Sequence, residues 1–268
     1  MTTHIPGQAP ARPTPNEPAY QPLPTPGGGS GLPCLAVSRQ VDEPGPAGTG
    51  RERMLVYPPQ GDPSLDRRGT LALELGYDYY NEAMECRGAE RHQLRIDCFR
   101  AAEVLYLWSA SAGNVQAYTS LGVLYANDRC EGHYLHADET GFSAGQQAFE
   151  CLSKAAALGS VEACCKLGDL LFCGMGCLQD KPSAYQLYLH AHDLAKDSYP
   201  ALRGDAALRL AQAREQGAGC HASRSAARRW YAEAATCLQT AVSEGDWLYQ
   251  RQLAYAQRAL ERLGNADE

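Results

Sequence analysis

The sequence predicts an all-α fold, a solenoid of about four stacked helix-turn-helix units closed by a C-terminal capping helix, and two observations carry that prediction. First, Leu75-Gly76 returns as Leu121-Gly122 and Leu167-Gly168 and then as Leu210-Ala211, at spacings of 121 − 75 = 46, 167 − 121 = 46 and 210 − 167 = 43. A period in the 40s accommodates one helix pair with its connections, and such units stack because none buries its apolar face alone. Second, helical apolar spacing is sustained from about Thr70 to the end of the chain, whereas the preceding segment has a different composition.

That preceding segment, residues 1–69, holds 14 of the 16 prolines together with the run Gly27-Gly28-Gly29-Ser30-Gly31. Such a composition buries too little apolar surface to offset the entropy of ordering it, so a disordered Pro/Gly-rich tail is expected. The short runs Cys34–Val37 and Met54–Tyr57 are expected at most to dock on the folded body.

The repeat domain, 70–268, divides into units at about 70–113, 114–159, 160–204 and 205–245, with a cap at 246–264. In the second unit Ala117, Leu121 and Leu124 share one helical face, and Gly122 lets a neighbouring helix come close. Mid-helix glycine costs up to about 1 kcal/mol against alanine, so its recurrence at Gly168 points to a packing constraint. Second helices are expected over Ala101–Ala112, Ala148–Leu158, Ala184–Leu194 and Ala226–Ala235. Gly174-Met175-Gly176 and Gly217-Ala218-Gly219 read as tight turns. A long turn is expected at Asn81–Leu94 and an insertion at Asn127–Gly145. In the cap, Trp247, Leu253 and Leu260 are expected to face inward and Arg251, Arg258 and Arg262 outward.

The first 69 residues contain six Arg and six Asp plus Glu, so the formal net charge of −7 belongs to the repeat domain. An acidic body without a Lys/Arg stripe argues against nucleic-acid binding and favours protein or peptide partners carrying basic segments. No apolar run approaches the roughly 20 residues a membrane span needs, and no basic-then-apolar leader opens the chain. A cytoplasmic monomer without membrane association is expected.

The order Ala-x-x-x-Leu-Gly-x-x-Tyr, then Gly-x-Gly, then an aromatic near Tyr188 or Trp230, then Ala155-Ala156-Ala157-Leu158-Gly159 resembles the Sel1-like repeat, a relative of the tetratricopeptide repeat. The resemblance spans about Thr70–Ala235 and is strongest in the second and third units; the fourth lacks the Leu-Gly pair. It implies a right-handed α/α superhelix that acts as an adaptor or scaffold rather than an enzyme.

In a stacked helix-pair array the first helices line the concave surface. By offset from the anchors, that surface is expected to present Leu73, Tyr77, Tyr80 and Asn81; Gln116, Thr119, Val123 and Asn127; Glu162, Asp169 and Phe172; and Asp205, Gln212 and Glu215. It is aromatic at one end and acidic at the other, and it is the expected site for a partner peptide or helix. Tyrosines bury much area with few rotors and make good anchors.

Eleven cysteines invite a disulfide reading, but the odd count and one Cys per unit at Cys86, Cys177 and Cys220 favour buried free thiols. Cys130, His133, His136 and Asp138 lie within one insertion and are each able to ligate a metal, although their spacing matches no established ligand pattern. They support an alternative reading, a metal- or redox-responsive sensor. No Ser-x-x-Lys, His-Glu-x-x-His, Gly-x-Ser-x-Gly or phosphate-binding Gly-x-x-x-x-Gly-Lys occurs, so no catalytic residue and no cofactor is expected.

Overall fold

A computed structural model describes residues 35–41, 51–57, 66–132, 134, 141–196 and 199–264, the first two stretches by backbone alone. The chain forms two compact units, Met1–Asn114 with His133–Leu135, and Val115–Gly132 with His136–Glu268.

In the first unit, β1 (Leu35–Val41) pairs antiparallel with β2 (Arg51–Tyr57), Leu35 opposite Tyr57 and Val41 opposite Arg51. The Pro/Gly-rich segment therefore contains one ordered pairing. The two runs expected to dock on the body pair with each other, and β1 also contacts the helix His92–Ser111. Seven matched residues per strand satisfy one another's backbone groups, which neither short apolar run does alone.

Helices α1 (Thr70–Glu85) and α2 (His92–Ser111) follow, joined by a 3-10 turn at Ala89–Arg91. The long turn expected at Asn81–Leu94 is thus shorter, because α1 continues through Glu85 and α2 starts at His92. The Asp66 carboxylate takes the first free amides of α1, from Leu71 N at 3.1 Å and Ala72 N at 2.9 Å, which offsets the unpaired donors of a helix start.

The second unit contains α3 (Val115–Ala126), α4 (Ala144–Ala157), α5 (Val161–Cys173), α6 (Lys181–Ala195), α7 (Pro200–Gln216), α8 (Arg224–Ser243) and α9 (Gln250–Gly264). Ser160 caps α5 by accepting from Ala163 N, Asp180 caps α6 by accepting from Ser183 N, Ser223 caps α8 by accepting from Ala226 N, and Pro200 opens α7.

The Leu-Gly anchors act by close approach. A Cβ on Gly76 would stand 2.5 Å from the Tyr106 ring, on Gly122 2.4 Å from Leu152, and on Gly168 2.4 Å from Tyr188. In each case the anchor glycine of the first helix receives the large side chain of the second. The fourth pair repeats the arrangement with Ala211 and Tyr231 in one buried cluster, where alanine is the largest residue used. Tyr106, Leu152 and Tyr231 are fully buried, and burying a side chain of this size contributes about 1.5–3 kcal/mol.

Successive pairs also meet through backbone. The second glycine of each Gly-x-Gly turn packs on the start of the preceding pair's second helix: a Cβ on Gly176 would lie 2.0 Å from Gly145 O, and one on Gly219 2.1 Å from Lys181 O. Both glycines have positive φ, +71° and +73°.

Behind α8, a 3-10 turn at Trp247–Tyr249 precedes α9, whose Leu253, Ala256, Ala259 and Leu263 complete the last core. Leu260 packs against this core as expected, whereas Trp247 is 67% exposed. The 3-10 turn changes the angular phase before α9 starts and takes Trp247 off the inward stripe.

Candidate functional site

The first helices of the second unit set equivalent residues in rows. Five places before each anchor leucine stand Gln116, Glu162 and Asp205, and two places after it stand Val123, Asp169 and Gln212. Gln116 Nε2 donates to Glu162 Oε2 at 3.4 Å across one step of the first row. Thr119, expected to face a partner, is 1% exposed, with its hydroxyl 3.0 Å from Ser160 Oγ. Its place is taken up by the junction of α3 with the start of α5, where a small β-branched residue fills the contact.

Between α5, α7 and α9 the rows border a groove with a cavity of about 380 Å³. Four of the residues named from sequence meet there: Asp169 and Phe172 from α5, and Asp205 and Gln212 from α7. Leu208, Arg209 and Gln216 from α7, Tyr188 from α6 and Gln252 from the cap helix also line it.

A tight polar network forms one wall. Arg209 grips Asp169 with both carboxylate oxygens engaged, Nε to Oδ1 and Nη2 to Oδ2 each at 2.7 Å, while Nη1 sits 2.6 Å from Asp205 Oδ1. Tyr188 donates its hydroxyl to Asp169 Oδ1 at 2.9 Å. Burial alone would make the guanidinium harder to charge, but the two carboxylates hold its proton more firmly than usual. Burial, reinforced by the Asp169 charge, pushes the Tyr188 phenol up, and burial pushes the Cys165 thiol beneath this network up to about 12. The network is fixed before any ligand arrives. Asp169 keeps a partly exposed carboxylate, and two acids against one guanidinium leave the wall anionic by one charge.

The acidic end of the surface therefore carries its own counter-ions. Glu215 is held by the Arg262 guanidinium from α9, Nη2 to Oε2 at 3.0 Å, and by the Tyr231 hydroxyl at 2.8 Å. Arg262 faces outward as expected, more than half exposed, and its guanidinium also reaches this carboxylate. Asn127 is exposed with its amide donating to Val123 O at 2.7 Å, and Val123 is half-buried. In the other compact unit, Tyr77 meets Tyr106 edge-on at 5.7 Å and Tyr80 meets Phe99 at 5.3 Å; Asn81 is exposed and Leu73 buried.

Of the candidate metal ligands, Cys130 is buried, and His133, His136 and Asp138 lie outside the described residues. Among the described residues, Cys86, Cys98, Cys164, Cys165, Cys173, Cys177 and Cys220 are free thiols. No described helix is long and apolar enough to cross a membrane.

Sequence reasoning missed Arg209, Tyr188, Gln216 and Gln252. Arg209 directly precedes an anchor, and its role follows from the acids at the row positions beside it. Gln252 carries no such signal, because the cap lies outside the period.

The architecture defines the chain as a helix-pair repeat protein of the solenoid class. A Sel1 repeat family model matches residues 132–160, 161–191 and 204–237, so the chain contains three Sel1 repeats. Sel1-repeat proteins generally mediate protein–protein interaction and are generally non-catalytic scaffolds. No curated relative matches. Among solved structures the chain is similar to a Sel1 repeat protein from Oxalobacter formigenes, at 24% identity over 49% of this chain and 88% of that one, with a TM-score of 0.39. It is also similar to c5321, a protective antigen present in uropathogenic Escherichia coli strains displaying an SLR fold, at 19% identity over 75% of this chain and 45% of that one, with a TM-score of 0.35.

Proposed function

We infer that the protein is a non-catalytic adaptor whose α5–α7–α9 groove holds a peptide or helix of a protein partner. The observation that supports this reading is the convergence of Asp169, Phe172 and Gln212 on one cavity whose anionic wall is already rigid. The groove offers three kinds of contact. Phe172 provides apolar area for an anchoring side chain. The amides of Gln212, Gln216 and Gln252 both donate and accept, which suits the main chain of an incoming segment. The exposed edge of Asp169 favours a lysine or arginine on that segment, and pre-organisation keeps the ordering cost low.

A displayed peptide library selected on the full chain tests the reading. Peptides with a basic residue beside an apolar one should be enriched, and Phe172→Ala combined with Gln252→Ala should weaken them by roughly tenfold or more. Enriched peptides that bind the double variant as tightly as the parent would overturn it.

A further inference from the structure

A second surface of the same unit has the opposite charge. Arg224, Ser225, Arg228, Arg229 and Ala232 line an open depression of about 650 Å³ on the first two turns of α8. Among the described residues, no carboxylate lines it. Arg228 and Arg229 are exposed and have no hydrogen-bond or ion-pair partner among the described residues. Arg224 is steadied by donating to Leu263 O at 2.8 Å, which ties this end of α8 to the end of α9. Arg224 also acts electrostatically on Glu215, which Arg262 holds.

Three guanidiniums on one edge of a body whose formal charge is −7 form a local reversal of sign. The start of a 20-residue helix adds its own positive end to the same place. From Arg224 to Arg229 the helix rises only ~7.5 Å, about the length of two or three extended residues. That span is matched by a short run of carboxylates. It is too short to follow a phosphate backbone, which the surrounding negative charge also repels.

We propose that the Arg224–Arg228–Arg229 face of α8 docks an acidic segment of a protein, two or three consecutive Asp or Glu side chains seated on the guanidiniums. With the groove, this gives the repeat unit two ports of opposite preference, and the scaffold joins a basic segment to an acidic one.

The test is fluorescence anisotropy of a labelled decaglutamate peptide with the full chain at low ionic strength, with labelled oligothymidylate and phosphatidylserine vesicles as competing occupants. Saturable decaglutamate binding is expected, weakened roughly tenfold or more by Arg228→Glu with Arg229→Glu and unchanged by the groove variant Phe172→Ala. Because both arginines are exposed, the paired variant should keep the parent circular dichroism and melting curve; Arg228→Gln with Arg229→Gln, a milder change, should give an intermediate loss. Undiminished binding in the charge-reversed variant, no saturable decaglutamate binding, or preferential binding of oligothymidylate or vesicles would each overturn the proposal. Loss on Phe172→Ala would assign the peptide to the groove and overturn it equally.

Discussion

Tyr188 and Arg209 converge on a single carboxylate, that of Asp169: the phenol donates to Oδ1 at 2.9 Å while the guanidinium takes both oxygens at 2.7 Å. One acid of α5 is thereby fixed by α6 and α7 together. Arg209→Met should cost about 3 kcal/mol, because it leaves the largely buried Asp205 without its counter-charge. Denaturant unfolding of the variant checks this, and adding Asp205→Asn should recover part of the loss. Equal stability in parent and single variant would show that the network contributes nothing net.

The same tyrosine limits its neighbour. Gly168→Ala gains helix propensity of up to about 1 kcal/mol, but its Cβ would stand 2.4 Å from a ring that the Asp169 hydrogen bond holds in place. The net effect should be destabilisation by about 1–3 kcal/mol, read from thermal melting. Ala211→Gly, at the equivalent place, lacks the clash and should cost about 1–2 kcal/mol through lost helix propensity and a lost buried methyl.

At the turn between pairs, Gly176→Ala and Gly219→Ala should each destabilise by ~2 kcal/mol or more, since both combine positive φ with backbone 2.0–2.1 Å from the new carbon. Hydrogen exchange should show amides loosening at the start of α4 in the first variant and of α6 in the second. Loosening confined to the substituted turn would count against a role in stacking.

Stability should fall on the acid side for two identifiable reasons. The Arg262 guanidinium, with the Tyr231 hydroxyl, holds Glu215 below the ordinary value of 4.5. Burial alone would raise Glu233, but hydrogen bonds from His192 Nε2, at 2.7 Å, and from Arg203 leave it below 4.5 as well. The unfolded chain therefore takes up these protons first. Their contribution is complete above about 4.5 and is lost as pH falls through the lowered folded values. Glu215→Gln should be less stable at neutral pH and lose stability less steeply below 4.5 than the parent, as followed by urea midpoints across pH.

The thiols should separate by reactivity. Burial pushes Cys98 and Cys165 up to about 12, whereas Cys173 is exposed at the end of α5. Maleimide applied to the native protein should label Cys173 early and Cys98 and Cys165 only on unfolding, with sites read by peptide mass spectrometry.

The helix pairs were legible because one spatial requirement, a small residue facing Tyr106, Leu152, Tyr188 or Tyr231, recurs at fixed intervals and leaves a period in the sequence. Pairings that cross the period were not. Arg262 reaches Glu215 from the cap, 47 residues away, and nothing near either residue announces the other. The row offset placed Thr119 outward, since an offset specifies an angle on one helix and takes no account of the helix that covers it. The β1–β2 pairing was obscured by its surroundings: proline and glycine dominate the segment, and the polar halves of both strands look like linker until they are matched.

At Gly176 on Gly145 and Gly219 on Lys181, adjacent repeats touch main chain to main chain, so the step from one repeat to the next is gauged by peptide geometry rather than by side-chain size. Substitutions along the groove rows can then change what is recognised without altering the pitch on which recognition is displayed. If the groove holds the proposed partner, the glycine framework and the contact surface can be varied independently of one another.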